Sequence, residues 1–438
     1  MKNNIEYFKT LTKEQILKKI KTDEGNSFVS INEAFNEQSP IIGVKDIHVQ
    51  QGVISSSGSK ILSEYTGNYE STVTKLLKAA GFAIVGSLNM DEFAMGFDNS
   101  NSYYGTVKNA HNEDYVVGGS SGGSAYAVAK GLIPVATGTD TGGSIRQPAA
   151  FNKIYGLKPT YGLVSRYGTI AFASSLDTIG VLSNTIEDNA TVLEILAQND
   201  LNDQTNYVPE NYEAKSLINS DEKLKIGYVK EWLDYVKEDQ VGQEIQKQIE
   251  LFKNNGYEVE EVSIPTVKYA FELYMILAYS EASSNLSRYD GMRFGINNET
   301  NDFATYRRNF GNEVKKRLVI GGYMTSSAHS KEYFKKAQQI RSKMIEEIQK
   351  VFKTYDILLG PVTFGEGIKV GEHVDDKVGY LYDFFLIPAN MTGIPSMSVP
   401  IADLTNGMGI SIQVLANKYE EKKIYNIAKK IESWRNNE

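Results

Sequence analysis

The strongest constraint on the fold is a repeated exchange between two periodicities. Residues 72–80 place Val73, Leu76, Leu77 and Ala80 at helical spacing, and Gly81 can end that helix. FAIVG at 82–86 follows as a short apolar run of the strand type. The exchange recurs. SAYAVAKG at 124–131 reads as a helix of small residues, and LIPVATG after it as a strand. LKIGYVK at 224–230 reads as a strand, and Val241, Ile245, Ile249 and Phe252 then mark one helix face. Gly256 closes that helix, and YEVEEVSI returns as a strand. YDILLGPV at 355–362 and GISIQVL at 409–415 are further strands, before a last helix with Ile424, Ile427, Ala428 and Ile431 on one side. Strands alternating with helices predict an α/β chain, with a mixed, largely parallel sheet covered by helices on both faces.

The 438 residues are read as one domain, 1–438, with an N-terminal helical segment at 1–25 and a helical insertion at about 266–350. Within the insertion, Tyr333, Ala337, Ile340, Met344 and Ile348 form a stripe best explained by core packing. GMRFGINNETNDFATYRRNFGNE at 291–313 has little periodicity, and the polar stretch 198–222 reads as a surface loop.

Composition removes several function classes. The chain has no cysteine, which excludes disulfides, thiolate metal ligands and cysteine nucleophiles. Lys and Arg number 46 against 54 Asp and Glu, a net charge of −8. That balance opposes nucleic-acid binding unless a local basic patch exists, and no dense block of cations stands out along the sequence. The polar N-terminus lacks the apolar centre of a signal peptide, and no apolar run approaches membrane-spanning length. A cytoplasmic location is expected.

Two glycine-serine turns carry the chemistry: GGSSGGSA at 118–125 and GTDTGGSIRQPAA at 138–150. Either alone reads as a flexible turn or a capped helix start. Together, joined by a helix-then-strand unit, they suggest a built site. The amides of Thr141, Gly142 and Gly143 can face one concavity beside Ser144, as an oxyanion cradle requires. Serine needs a base. The histidines, His48, His111, His329 and His373, all lie outside these turns. Residues 119–123 also satisfy G-x-S-x-G, but the polar NAHNEDYVV before them is a poor strand for a nucleophile elbow. Lys45 ends the apolar run of SPIIGVKDI, and burial without a carboxylate partner would lower its pKa toward neutrality. Taken alone, it reads first as a structural or surface lysine.

The three stretches together resemble the amidase signature family over roughly residues 40 to 415. The most specific part is GGSSGGSAYAVAKGLIPVATGTDTGGSIRQPAAF at 118–151. NMDEFAMG at 89–96, GLKPTYGLVSRYGTIAFASSLDTIG at 156–180 and EASSNLSRYDG at 281–291 are similar to the family's glutamine-hydrolysing, tRNA-amidating members. The resemblance implies a triad without histidine: Ser144 as nucleophile, Ser120 after a cis peptide as bridge, and Lys45 as base. It also implies a glutamine pocket, with Arg317 for the α-carboxylate, Asp383 for the α-amino group and Tyr274 lining it. Implied partners are a small linking subunit and a transamidase/kinase subunit. ATP and Mg²⁺ are expected in the latter, Glu-tRNA(Gln) is expected to be bound mainly through it, and this chain itself is expected to hold no cofactor or metal. The alternative is a stand-alone amidase acting on another amide. Departures from the family pattern are Ile47 where asparagine is common, Val117 where proline is common, and a short segment before Lys45.

Overall fold

The computed structural model describes residues 3–290, 306–365, 367–372 and 382–435. Most of the aperiodic stretch 291–313 therefore lies outside the described residues. Eleven strands form one sheet: β1 (Phe28–Ile31), β2 (Ile41–Lys45), β3 (Ala83–Leu88), β4 (Val135–Asp140), β5 (Tyr155–Lys158), β6 (Thr178–Ser183), β7 (Ile226–Val229), β8 (Val259–Val262), β9 (Ile357–Pro361), β10 (Ser396–Asp403) and β11 (Gly409–Ala416). Their order is β1-β3-β2-β4-β6-β5-β10-β11-β9-β7-β8. The sheet is mixed as expected, but it is not largely parallel. Parallel pairs flank it, β2 with β3 and β4 on one side and β7 with β8 and β9 on the other. The middle, from β4 through β6, β5, β10 and β11 to β9, is antiparallel throughout. The sequence alternation holds at the flanks. In the middle, most paired strands are not consecutive in the chain, β4 with β6, β5 with β10 and β11 with β9, so the local alternation does not report their direction.

Strands β2, β4, β6 and β11 are buried at every residue, so they read as continuous apolar runs rather than alternating ones. Successive side chains nevertheless go to opposite faces. Ile42, Val44, Val135 and Val181 join one core, while Ile41, Ala136 and Leu182 join another with Val128 and Ala125.

The helices that matter for the site are α1 (Thr72–Ala79), α2 (Gly122–Ala129), α3 (Arg146–Phe151), α4 (Ala270–Asn285), α5 (Asn312–Thr325), α6 (Phe334–Val351) and α7 (Ile387–Thr392). Ser71 caps α1, its hydroxyl accepting from the Thr74 amide. Helix α2 is made of small residues and is buried on nearly every side, as an all-round apolar helix must be. Helices α4, α5 and α6 lie between β8 and β9 in the chain. Ala337, Met344 and Ile348 of α6 are buried, as packing requires, while Tyr333 and Ile340 of the same stripe are half-buried.

Helices α4 and α5 meet backbone to backbone. A Cβ at Gly321 would sit 1.9 Å from the Tyr279 carbonyl oxygen, whereas one at Gly322 would meet only the Ser283 hydroxyl at 3.5 Å. Gly321→Ala should therefore lower stability by about 1–3 kcal/mol through overpacking. Gly322→Ala should be neutral or stabilising by up to about 1 kcal/mol through helix propensity. Urea titration of both variants checks the contrast, and equal midpoints would exclude so close a contact.

Candidate active site

Strand β2 ends at Lys45, whose side chain is completely buried. Its Nζ lies 2.8 Å from Ser120 Oγ, 2.9 Å from Ser121 Oγ and 2.8 Å from Thr139 Oγ1. No carboxylate touches it among the described residues. Burial pushes its pKa down to about 7, against the weaker opposing pull of Asp91, Asp140 and Asp177. Near neutrality the amine therefore exists in both protonation states. In the neutral form two N–H groups remain to donate, and the lone pair can accept a proton from one of the three hydroxyls.

The Gly119–Ser120 peptide is cis. Asp91 braces that turn from below. Its backbone N–H donates to the Ser120 carbonyl at 3.3 Å, and a Cβ on Gly119 would lie 2.2 Å from Asp91 Oδ2. Only glycine permits this approach. Asp91 also accepts from the amides of Asn99 and Asn101, and Asn99 Oδ1 in turn accepts from the Gly122 amide at α2's start. The second turn is tied to the first by the Ser121 amide, which donates to the Ser144 carbonyl at 3.2 Å.

Ser144 stands on the adjoining loop, nearly buried. The expected relay is half formed. Lys45 reaches Ser120, but no hydrogen bond joins Ser120 to Ser144 among the described residues. Among the described residues the Ser144 hydroxyl thus has no hydrogen-bond partner, and catalytic hydrogen bonds often tighten only with substrate. The expected oxyanion cradle also needs correction. The Gly143 amide donates to Asp140 Oδ1 at 2.9 Å, because the Asp140 carboxylate folds back over its own loop. That leaves the Thr141 and Gly142 amides as candidates. Asp140 further accepts from the Ile145 amide and is paired with Arg146 at 2.9 Å, both side chains fully buried. Burial alone would raise its pKa, but Arg146 outweighs this and holds it at about 2.

The nominated pocket residues converge on the same loop. A Cβ on Gly142 would meet the Tyr274 ring at 2.7 Å. Gly143 has φ +143°, and a Cβ there would lie 2.7 Å from Asp383 Oδ1. Arg317 is buried on α5, bonded through Nε to Glu313 at 2.8 Å, with its guanidinium 4.9 Å from the Tyr279 ring centre and 5.5 Å from that of Phe172. Its Nη1 is 3.5 Å from the Tyr274 hydroxyl, a long contact. Asp383 Oδ1 is buried and has no hydrogen-bond partner among the described residues. Burial, and then the nearby Asp140 charge, push the Asp383 pKa well above the usual carboxylate range.

Sequence reasoning missed Ser121, Thr139, Asp91 and the Asp140–Arg146 pair. The G-x-S-x-G match did contain Ser121, but an elbow needs a preceding strand, and residues 109–117 hold only isolated bridges. His48 is occupied elsewhere, with Nδ1 3.0 Å from Thr169 Oγ1.

A buried lysine facing a serine after a cis bond, beside a glycine-rich loop, defines an amide-hydrolase class of site. The amidase family model matches residues 40–425. The chain belongs to the amidase family. It is similar to the A-type subunit of the glutamyl-tRNA(Gln) amidotransferase of Lysinibacillus sphaericus (strain C3-41), 44% identical over 407 residues, covering 90% of this chain and 83% of the relative. The protein of the same description from Latilactobacillus sakei subsp. sakei (strain 23K) is 45% identical over 392 residues, covering 88% and 80%. The crystal structure of the same type of subunit from Thermotoga maritima superposes with a TM-score of 0.82 at 34% identity, over 97% of this chain and 93% of the other. A bacterial aryl acylamidase, 19% identical, shares the fold with a TM-score of 0.82 over 98% and 94%.

Lys45 leaves a signature in stability. The unfolded chain binds its proton up to pH about 10.5, the folded chain only up to about 7. Between these values the unfolded state holds more protons, so stability rises with pH across that window. Lys45→Met should flatten this slope. Denaturant midpoints at about pH 7, 8 and 9 measure it, and an unchanged slope would mean the amine is not desolvated as described.

Proposed function

We propose that this chain is the glutaminase subunit of an assembly that amidates Glu-tRNA(Gln). The observation that supports this reading is Asp383, whose buried, unbonded Oδ1 lies against Gly143, with Arg317 reaching toward the hydroxyl of Tyr274, whose ring packs on Gly142. A free α-amino acid brings one carboxylate and one ammonium into the pocket. Each must find an opposite charge when water is removed. Arg317 offers the cation and Asp383 the anion. Burial favours the neutral Asp383 acid, and an ammonium set against it would draw it toward the anion.

In this mechanism the Ser144 hydroxyl turns toward Ser120 and its Oγ attacks the side-chain amide carbon of glutamine. The Ser144 proton passes to Ser120, whose own proton passes to the neutral Lys45 amine. The Thr141 and Gly142 amides receive the developing oxyanion. Collapse breaks the C–N bond, and the proton returned from Lys45 through Ser120 lets the nitrogen leave as ammonia. Water then hydrolyses the γ-glutamyl ester on Ser144, with the same relay acting as base. The ammonia passes to the partner transamidase/kinase subunit, in which bound ATP with Mg²⁺ would supply the activation of the tRNA-linked glutamate. The second partner is a small linking subunit.

Two experiments separate the steps. Ser144→Ala should lower glutamine hydrolysis by several orders of magnitude. The assembled complex carrying it should still amidate Glu-tRNA(Gln) from ammonium salts. Retention of more than a few per cent of glutaminase activity would remove Ser144 from the role. Asp383→Asn should raise the KM for glutamine about tenfold or more, because the substrate ammonium loses its counter-charge. Ammonia-dependent amidation should not change. Normal glutamine kinetics in this variant, or turnover of simple aryl or aliphatic amides without glutaminase activity, would favour a stand-alone amidase.

A further inference from the structure

Charge is unevenly distributed in this acidic chain. Between residues 306 and 353 there are twelve Lys and Arg against four Asp and Glu, while the whole chain carries −8. Cations in that stretch come as short groups, Arg307–Arg308, Lys315–Arg317 and Lys335–Lys336, and as single residues between other side chains, so no dense block stands out in the sequence. Helix α6 sorts them by face. Its inner side buries Ala337, Met344 and Ile348, sends Arg341 to the Met391 carbonyl and Ser175, and uses Glu347 to accept from Thr266. Its outer side presents Lys336, Lys343 and Lys350 at seven-residue steps, with Lys335 beside them. Two turns of helix separate successive members, about 10 Å along the axis.

These lysines are exposed, and none forms an ion pair with a described residue. Some lysines elsewhere on the surface are neutralised, Lys78 by Glu70, Lys247 by Glu244, Lys253 by Glu250 and Lys430 by Asp221, while others such as Lys18, Lys60 and Lys75 pair with no described residue; what sets this face apart is the alignment of its lysines along one helix. At the start of α6 lies an aromatic cluster. Tyr323 is 52% exposed and stacks on His329 at 4.1 Å, and Tyr333 lies 6.2 Å from Tyr323 and 6.1 Å from His329. Lys331 and Lys335 flank it in sequence.

We infer that the outer face of α6, together with the Tyr323–His329–Tyr333 cluster, is a docking surface for the RNA substrate. Unpaired lysines suit a phosphate backbone, whose contacts need charge rather than fixed geometry. An exposed aromatic ring offers a stacking face to an unpaired base, and every base has one. An acidic protein would use the lysines but gain less from the stacked rings. The surface would supplement the partner subunit's hold on tRNA and orient the assembly on it. This inference rests on the proposed tRNA-amidating function.

The test compares wild type with Lys336→Glu/Lys343→Glu/Lys350→Glu, with the corresponding triple Lys→Arg variant, and with Tyr323→Ala. The first measurement is binding of fluorescently labelled tRNA(Gln) to the full chain over a range of salt. The Lys→Glu variant should bind about tenfold more weakly, and its slope of log K against log salt should be shallower by about two. The Lys→Arg variant should keep both, and Tyr323→Ala should weaken binding with the salt slope unchanged. In the assembled complex, the Lys→Glu variant should raise the KM for Glu-tRNA(Gln) while leaving glutamine hydrolysis as in wild type. Unchanged tRNA binding in the Lys→Glu variant overturns the inference. So does loss of a partner subunit with unchanged tRNA binding, which would make this face a protein dock. Wild-type binding of tRNA through this face without any glutaminase activity would support the inference while overturning the proposed function.

Discussion

The buried pair of Asp140 and Arg146 organises everything around it. A buried ion pair is weak support for stability in itself, because desolvating both charges offsets much of their attraction. Its effect here is on position. The Asp140 carboxylate closes the loop that carries Ser144, taking the Gly143 amide at 2.9 Å and the Ile145 amide at 3.2 Å. Arg146 then reaches across the sheet, to the Leu386 carbonyl at 3.0 Å, Gln413 Oε1 at 2.7 Å and Asn390 Oδ1 at 2.7 Å. Leu386 lies in the same turn as Asp383, whose carbonyl accepts from its amide. One guanidinium therefore relates the loop of the nucleophile to the turn of the proposed ammonium acceptor.

Two buried cations near this site are handled in opposite ways. Arg146 is matched by a carboxylate. Among the described residues Lys45 Nζ meets only hydroxyls, at 2.8–2.9 Å, and its proton becomes labile near neutrality. A carboxylate placed against Lys45 would stabilise its charge and abolish its basicity. Of the acids whose charge reaches it, Asp140 is engaged by Arg146, and Asp91 and Asp177 accept from backbone amides of Asn99, Asn101, Phe172 and Ala173. The local sequence thus keeps negative charge near the amine but not on it.

Much of this was readable in the sequence, and the unreadable parts share a cause. Helical spacing and apolar runs located the flanking βα units, because each is specified by neighbours within a few residues. The glycine-serine turns were legible for the same reason. Thr139 was not, since its place beside Lys45 depends on strand β4 lying parallel to β2 with Gly43 opposite Ala136. The antiparallel centre was missed likewise, because β5 finds β10 only through long-range pairing. Gly143 shows a finer limit. Residue type identified the cradle, but only the fold of the Asp140 side chain reveals that one amide is already engaged.

That long-range pairing has a consequence for how the chain is made. Lys45, Ser120 and Ser144 all lie in the stretch that ends with β6, so they leave the ribosome first. Strand β5 ends at Lys158, yet the strand that covers its free side begins at Ser396. At synthesis rates of about 5–20 residues per second, the gap lasts roughly 10 to 50 seconds. Throughout it the nascent sheet has an open edge, the kind of surface that recruits other strands. Such a chain depends on chaperones, or on speed, for the interval in which its reactive half exists without the half that seals it.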